Sequence, residues 1–535
     1  MRLCRRNRNH ITQAAGADCV VHSLGRWSVG AFFCAALGVG LVGALGACSK
    51  DINSSNNRGT SPRATGGAPE GTPENPKERL EGGASGETDG RGTITRGEGV
   101  DPRGVDPQDG RSEDNENGGA PEDGGSEVSS AGASGGPNGV TRTKLVAPGK
   151  LEKKHPKALP RMVKGLNTFS LEFHKKIGAG SGNRFSSPLS IATVLAMAYE
   201  GADGPTAGEI HKTLHLGLER GKVPAAFSQI LSSLDPAKKT SGFQLAMANR
   251  LFVARSYPIR RDFRKTLRDY YRATAKRLNF RKRRVAAKAI NDWVKKKTHQ
   301  RIKEIVPASS ISSSTRLVLA NAIYFKGKWK KKFKKKETRK RVFYLTKSKK
   351  TQVETMYQKA YLGYCAVGNV ELLEKRYKGT NMAMVVVLPK RKDGLARLEK
   401  SLTQTTLARW MAKLKTRKVR VYLPKFKFKW GGSLKEHLKA LGIKTPFDSA
   451  KANFRAISKR AASEGLYIAK VFHKSFVAVD EKGTEAAAAT AASMDALMAD
   501  MDTGTPEFVA DHPFLFLIRN RKTGVILFIG RVTAP

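Results

Sequence analysis

No phenylalanine, tryptophan or tyrosine occurs between Phe33 and Phe169. A stretch that long without aromatics, rich in Gly, Pro, Ser and acids, cannot bury enough apolar surface to offset the entropy of ordering it. The packed part of the chain is therefore expected to lie after it. The divisions read from the sequence are a leader over 1–47, a linker over 48–158 and a folded domain over 159–535. The last is long enough for a large single core.

The leader carries Arg2, Arg5, Arg6, Arg8 and Arg26, then an uncharged, small-residue stretch over 28–47, then Cys48. A basic start, an apolar core and a small-residue exit describe a secretory signal. Cys48 at the exit resembles the bacterial lipoprotein signal, which implies lipidation of Cys48 and membrane attachment through that lipid. Ser49 after it resembles lipoproteins sent to the outer membrane, facing the periplasm or the cell surface. An uncleaved apolar anchor or a secreted product are the alternatives.

Charge is distributed unevenly. The whole chain holds 97 Lys+Arg against 46 Asp+Glu, but residues 49–150 are net −5, so the excess sits on the folded part. Residues 326–350 alone hold 14 Lys/Arg and one acid, Glu337, and 260–284 hold a second cluster. Such charge suits an anionic partner: a heparin-like polyanion, another anionic polysaccharide, an envelope surface or nucleic acid. Nucleic acid ranks last, because no aromatic platform for single strands lies among the basic runs.

Local patterns within 159–535 alternate between helix and strand. Met162, Leu166, Phe169, Phe173 and Ile177 recur at helical spacing and Gly178 can stop the helix. Ser187 can cap a second helix that Pro188 opens and that runs to Gly201. Further helices are expected near 260–277 and 285–304. Strands are expected at 317–325, 382–388, 419–423, 426–430 and 525–532. Helices come first and strands later, an α+β arrangement. Enzyme signatures are missing: there is no G-x-S-x-G, H-E-x-x-H or P-loop, and His211 and His215 at i,i+4 have no evident third metal ligand.

Five segments carry a resemblance, in order. They are Asn183-Arg-Phe-Ser-Ser-Pro-Leu-Ser190, Leu317-Val-Leu-Ala-Asn-Ala-Ile-Tyr-Phe-Lys-Gly-Lys-Trp329, Val479-Asp-Glu-Lys-Gly-Thr-Glu-Ala-Ala-Ala-Ala-Thr490, Asp511-His-Pro-Phe-Leu-Phe516 and Phe528-Ile-Gly-Arg-Val532. Together they resemble the serpin family of serine protease inhibitors. The resemblance implies three β-sheets, about eight to nine helices and an exposed reactive-centre loop. It implies an inhibitor rather than an enzyme, with no obligatory cofactor and no metal. A protease cleaves the loop, the loop enters the main sheet as a new strand, and the acyl-enzyme is trapped.

It also implies roles for particular residues. Glu481, Lys482, Gly483, Thr484, Glu485, Ala486, Ala487, Ala488, Ala489 and Thr490 match the hinge. Asn183, Ser187, Ser190, Asn321 and His473 match a polar cluster under the opening sheet, the shutter. Trp329, Lys425 and Glu481 match the breach, where the loop enters. Counting from Glu481 places the scissile bond at Leu497-Met498, suited to chymotrypsin-, cathepsin G- or subtilisin-like proteases. The stretch from Leu497 to Pro513 is longer than in many members, and Arg184 stands where an apolar residue is usual.

Taken alone, the loop fits either insertion into a sheet or a solvated Ala-rich linker or helix, since Ala favours helix. Strands have a period of two. One parity reads Thr484, Ala486, Ala488, Thr490, Ala492, Met494 and Ala496, with no charge; Glu485 and Asp495 fall on the other. The first parity can face a core without burying an ion. A non-inhibitory polyanion-binding or adhesive surface protein of the same fold is the alternative.

Overall fold

The computed structural model describes residues 145–535 except 148, 179, 236–241 and 485–503. Cys48, the leader, the hinge from Glu485 to Thr490 and the Leu497-Met498 bond lie outside the described residues.

The packed chain starts before residue 159. Leu151 is fully buried, Leu145 and Val146 pack on the same core, and the Val146 amide donates to Gly221 O at 3.0 Å. The helix Ala158–Ile177 then buries Met162, Leu166, Phe169, Phe173 and Ile177, the stripe its spacing predicts. Helix Pro188–Gly201 begins at Ser187, whose hydroxyl accepts from the Ser190 amide at 3.3 Å. It is apolar on nearly every side and accordingly buried on nearly every side.

Eight α-helices of seven or more residues occur among the described residues, with two hydrogen-bonded sheets of nine and six strands. Three sheets were expected. In the larger sheet Lys350–Val367 pairs with Arg339–Tyr344 over its first residues and with Val370–Arg376 over its last, so one long strand joins two parts of a continuous ladder. The two sheets meet through aromatic rings. Phe325 and Phe426 of the smaller sheet lie 5.7 Å and 5.2 Å from Phe528 and Phe516 of the larger.

Two expected helices stop early. The first covers only Arg261–Tyr271, because Arg272 turns left-handed (φ 51°) and Thr274–Leu278 becomes an edge strand. The second covers Arg283–Lys297. The Thr298 amide closes its last turn, and His299 and Gln300 have positive φ.

The six-stranded sheet positions the site. Its order is Phe426–Ser433, Ile468–Val479, Gly483–Thr484, Leu317–Lys328, Phe243–Ala254, Thr274–Leu278. Ile468–Val479 and Leu317–Lys328 also pair directly, in parallel, over eight registered positions from Ile468↔Leu317 to Phe476↔Tyr324. Beyond Phe476 the two-residue strand separates them. Thr484 opposes Val479 on one side and Gly327 on the other, antiparallel to both.

Candidate functional site: an opened seam in the six-stranded sheet

At the open end the chain reverses over 480–483. The Asp480 carboxylate accepts from the amides of Lys482 (2.8 Å) and Gly483 (3.0 Å). The turn is held from beside it: Trp329 Nε1 donates to Asp480 O and the Trp329 amide to Lys482 O, both at 3.0 Å. A Cβ on Gly483 would stand 2.0 Å from Gly327 O, so only glycine permits this approach. Thr484 is 1% exposed, and its hydroxyl hydrogen-bonds the Tyr377 hydroxyl at 2.7 Å. The Tyr377 ring stacks on Trp329 at 4.7 Å, and a Cβ on Gly327 would collide with it. The uncharged parity of the loop thus begins with a side chain already in the core.

Glu481 anchors the outer side. Its carboxylate meets Lys425 Nζ at 3.4 Å and accepts from the Thr338 hydroxyl at 2.9 Å; its carbonyl accepts from the Phe333 amide at 3.0 Å. Burial pushes this carboxyl up, but its own amide, Thr338 and the Lys425 charge outweigh that and hold it below the usual range. Lys425 also pairs with Glu354 at 2.8 Å. With Glu481 largely buried and Lys425 partly exposed, the pair fixes the orientation of the turn.

Lys375 was not anticipated. It is buried beneath the same corner, its ammonium 4.1 Å from the Phe333 ring and 5.4 Å from Trp329, donating to Lys331 O at 2.7 Å. Burial, then the nearby Lys331 charge, push it down to about 7.

Midway down the seam Asn321 faces His473 across the parallel pair and Asn249 on its other side. Burial lowers His473 to about 3, so the ring is neutral. Its Nε2 lies 3.4 Å from the Ser187 amide and must accept, so Nδ1 carries the hydrogen and donates to Asn321 Oδ1 at 2.5 Å. The Asn321 amide then donates to Ser190 Oγ and Asn249 Oδ1, Ser190 Oγ donates to Asn249 at 3.2 Å, and Ser187 Oγ donates to Leu527 O at 2.7 Å. Every bond has a consistent direction. A strand entering the seam must part His473 from Asn321.

The structure therefore brings Ser187, Ser190, Asn321 and His473 together and adds Asn249. Asn183 is elsewhere: its carbonyl oxygen accepts from the amides of Thr533 (2.7 Å) and Ala534 (3.1 Å), clasping the last residues of the chain. Trp329, Lys425 and Glu481 gather at the entry, joined by Tyr377, Thr338, Asp480 and Lys375. Among the described residues no group of three His, Cys, Asp or Glu could hold a metal. His211 bonds Leu218 O and His215 bonds Glu172.

His473→Ala should leave two buried groups, Asn321 Oδ1 and the Ser187 amide, unsatisfied, costing about 2–5 kcal/mol. Urea denaturation measures it. The same site fixes a pH dependence. Between about pH 6.5 and 3 the unfolded imidazole takes a proton and the folded one does not. Stability from this residue is thus complete above about 6.5 and falls as pH falls through that window. The variant should show a flatter acid limb; an unchanged one contradicts the neutral, buried ring.

In this sheet Ile468–Val479 and Leu317–Lys328 pair directly in parallel, and Gly483–Thr484 parts them at one end. A family model, Serpin (serine protease inhibitor), matches residues 164–535, and the chain belongs to the serpin family. It is 38% identical to human Serpin B8 over 375 residues, 69% of this chain and 98% of that one. It is 39% identical over 377 residues to the leukocyte elastase inhibitor of Xenopus tropicalis, covering 69% and 97%. The crystal structure of native protease nexin-1 with heparin superposes with a TM-score of 0.62 at 29% identity, over 70% of this chain and 99% of that one.

Proposed function

We propose that this protein is a suicide-substrate inhibitor of serine proteases that traps the acyl-enzyme by loop insertion. The observation that carries the reading is Thr484, seated antiparallel between Val479 and Gly327 at the top of a seam that continues below it. In the sequence the residues that follow on its parity, Ala486, Ala488 and Thr490, are small and uncharged. Insertion exchanges one parallel ladder for two antiparallel ones, a downhill step that cleavage releases. Relatives named leukocyte elastase inhibitor support it. The test is incubation with chymotrypsin, with a covalent complex on a denaturing gel as the expected result; cleavage without complex overturns the reading.

Leu497 in the protease's primary pocket suits an apolar slot and offers nothing to a buried carboxylate. Chymotrypsin-, cathepsin G- or subtilisin-like enzymes are the proposed targets. Leu497→Arg should move inhibition rates toward trypsin by about 100-fold. Mass spectrometry of the released C-terminal fragment should show it starting at Met498; another start displaces the register.

A heparin-like polyanion is the proposed activator. The exposed lysines at 330–332 and 334–336 flank Phe333, whose amide holds Glu481 O, so an anion gathered there acts on the turn before Thr484. The resemblance to protease nexin-1, solved with heparin, supports this.

The Cys48 signal supports a lipid tether at the outer membrane. Cys48→Ala should move most of the protein from the membrane to the soluble fraction or block its maturation. Unchanged fractionation requires another anchor.

A further inference from the structure

Residues 329–333 continue directly from Leu317–Lys328 and form a strap held by two partners. One is the turn at the open end: the Trp329 amide donates to Lys482 O and the Phe333 amide to Glu481 O. The other is the larger sheet. The Lys330 amide donates to Arg376 O at 2.8 Å, Gln358 Nε2 to Lys332 O at 2.7 Å and Lys375 Nζ to Lys331 O at 2.7 Å. Lys375 Nζ also donates to Gln358 Oε1 at 2.5 Å, so an ammonium and an amide together grip two consecutive carbonyls of the strap. Of these ties to the larger sheet, Lys375 alone has a donor that titrates.

Lys375 is 3% exposed, with its ammonium over the rings of Phe333 and Trp329. The charge that acts on it is Lys331, which repels it, and among the described residues no acid offsets its own. The other groups packed about it are uncharged: the two rings, the Gln358 amide, and Met384, opposite it on the strand Met382–Pro389. Its chain neighbours Glu374 and Arg376 fall on the other parity of their strand, where Glu374 pairs with Arg519 and Arg521.

Burial and Lys331 bring the ammonium down to about 7, so its proton leaves near neutrality. A neutral amine still donates, but a charged donor bonds about twice as strongly. For a strand to enter the seam, Leu317–Lys328 must part from Ile468–Val479. Each tie between the strap and the larger sheet holds the end of Leu317–Lys328 in place and resists that parting.

We propose that Lys375 is a positioning residue of the loop-entry corner: while protonated it holds the 329–333 strap against the larger sheet, and loop entry quickens when the proton leaves. This rests on the insertion reading above.

The probe is an acetylated, labelled peptide with the sequence of residues 485–497, offered to the intact full chain without protease between pH 6 and 9. Anisotropy follows its uptake, and its own acids, Glu485 and Asp495, stay ionised throughout. Wild-type uptake should quicken about tenfold as pH rises through 7, the loss of one charge-assisted bond. Lys375→Met should take up the peptide rapidly at every pH. Lys331→Ala removes an exposed side chain and keeps the 331 carbonyl, so it should retain the profile with its midpoint moved to higher pH, which a merely structural lysine would not produce. A second readout does not involve the loop. Between about pH 7 and the ordinary lysine value of about 10.4, the unfolded amine holds a proton that the folded one has lost. Wild-type stability to urea should therefore rise with pH over that window, and Lys375→Met should lack the rise.

A wild-type uptake rate that is flat in pH, a peptide that enters neither protein, or a Lys375→Met protein with the wild-type uptake profile or stability limb overturns the proposal. Should Lys375→Met fail to fold, an unmoved midpoint in Lys331→Ala overturns it. Failure of the inhibitory reading shows separately, as cleavage by chymotrypsin without a complex at every pH.

Discussion

Thr484→Arg should convert the inhibitor into a substrate. Thr484 is buried and bonded to Tyr377, between Val479 and Gly327. An arginine there would be buried beside Val479, Gly327 and Tyr377, and a buried charge left unpaired costs several kcal/mol. Seating or inserting the loop then requires dragging that charge through the seam. Slow insertion lets the acyl-enzyme hydrolyse first. Titration against chymotrypsin should raise the stoichiometry of inhibition from about one to well above ten, since each 1.4 kcal/mol of added barrier slows insertion about tenfold. Glu485→Arg, on the opposite parity, should keep the wild-type value. Equal titrations for Thr484→Arg and wild type would remove the insertion mechanism, because a cut loop that never enters the sheet is indifferent to that side chain.

Loop cleavage should raise the melting temperature by about 10 °C. The thirteen steps from Thr484 to Leu497 can form on the order of ten new backbone hydrogen bonds at about 1 kcal/mol each. A domain of nearly 400 residues gains about 1 °C per kcal/mol. Calorimetry before and after cleavage measures the gain. A nicked protein melting at or below the intact one would leave the fold in place and remove the trap.

Much of this arrangement could be read before the fold was seen, where the signal was local. Ser187 and Pro188 announce a helix start because capping chemistry acts within three residues. The loop parity is a reading of the sequence, and only its first member, Thr484, lies among the described residues. Legibility failed where the deciding contact is distant or the local preference ambiguous. Thr274–Leu278 continues a basic, helix-compatible run, and only pairing beside Phe243–Ala254 makes it a strand. Asn249 is one asparagine in an apolar strand until its register opposite Asn321 is known. Asn183, in a motif that suggested the shutter, instead binds residues 350 positions away. Lys375 would pass for a surface lysine, since nothing in a strand's sequence reveals that a tryptophan and a phenylalanine will close over it.

The opened seam also gives the molecule a history. On the insertion mechanism proposed above it would take up one strand, and that strand is covalently its own. Once filled, two ladders of paired backbone must break together for it to empty, whereas filling proceeds rung by rung from Thr484. On that mechanism each copy would store one bit, closed or filled, and writing it would be effectively irreversible. A population of such molecules would keep a running record of the cleavages it has met. Its capacity would be set by the number of intact copies and not by any rate constant, and only new synthesis would restore it.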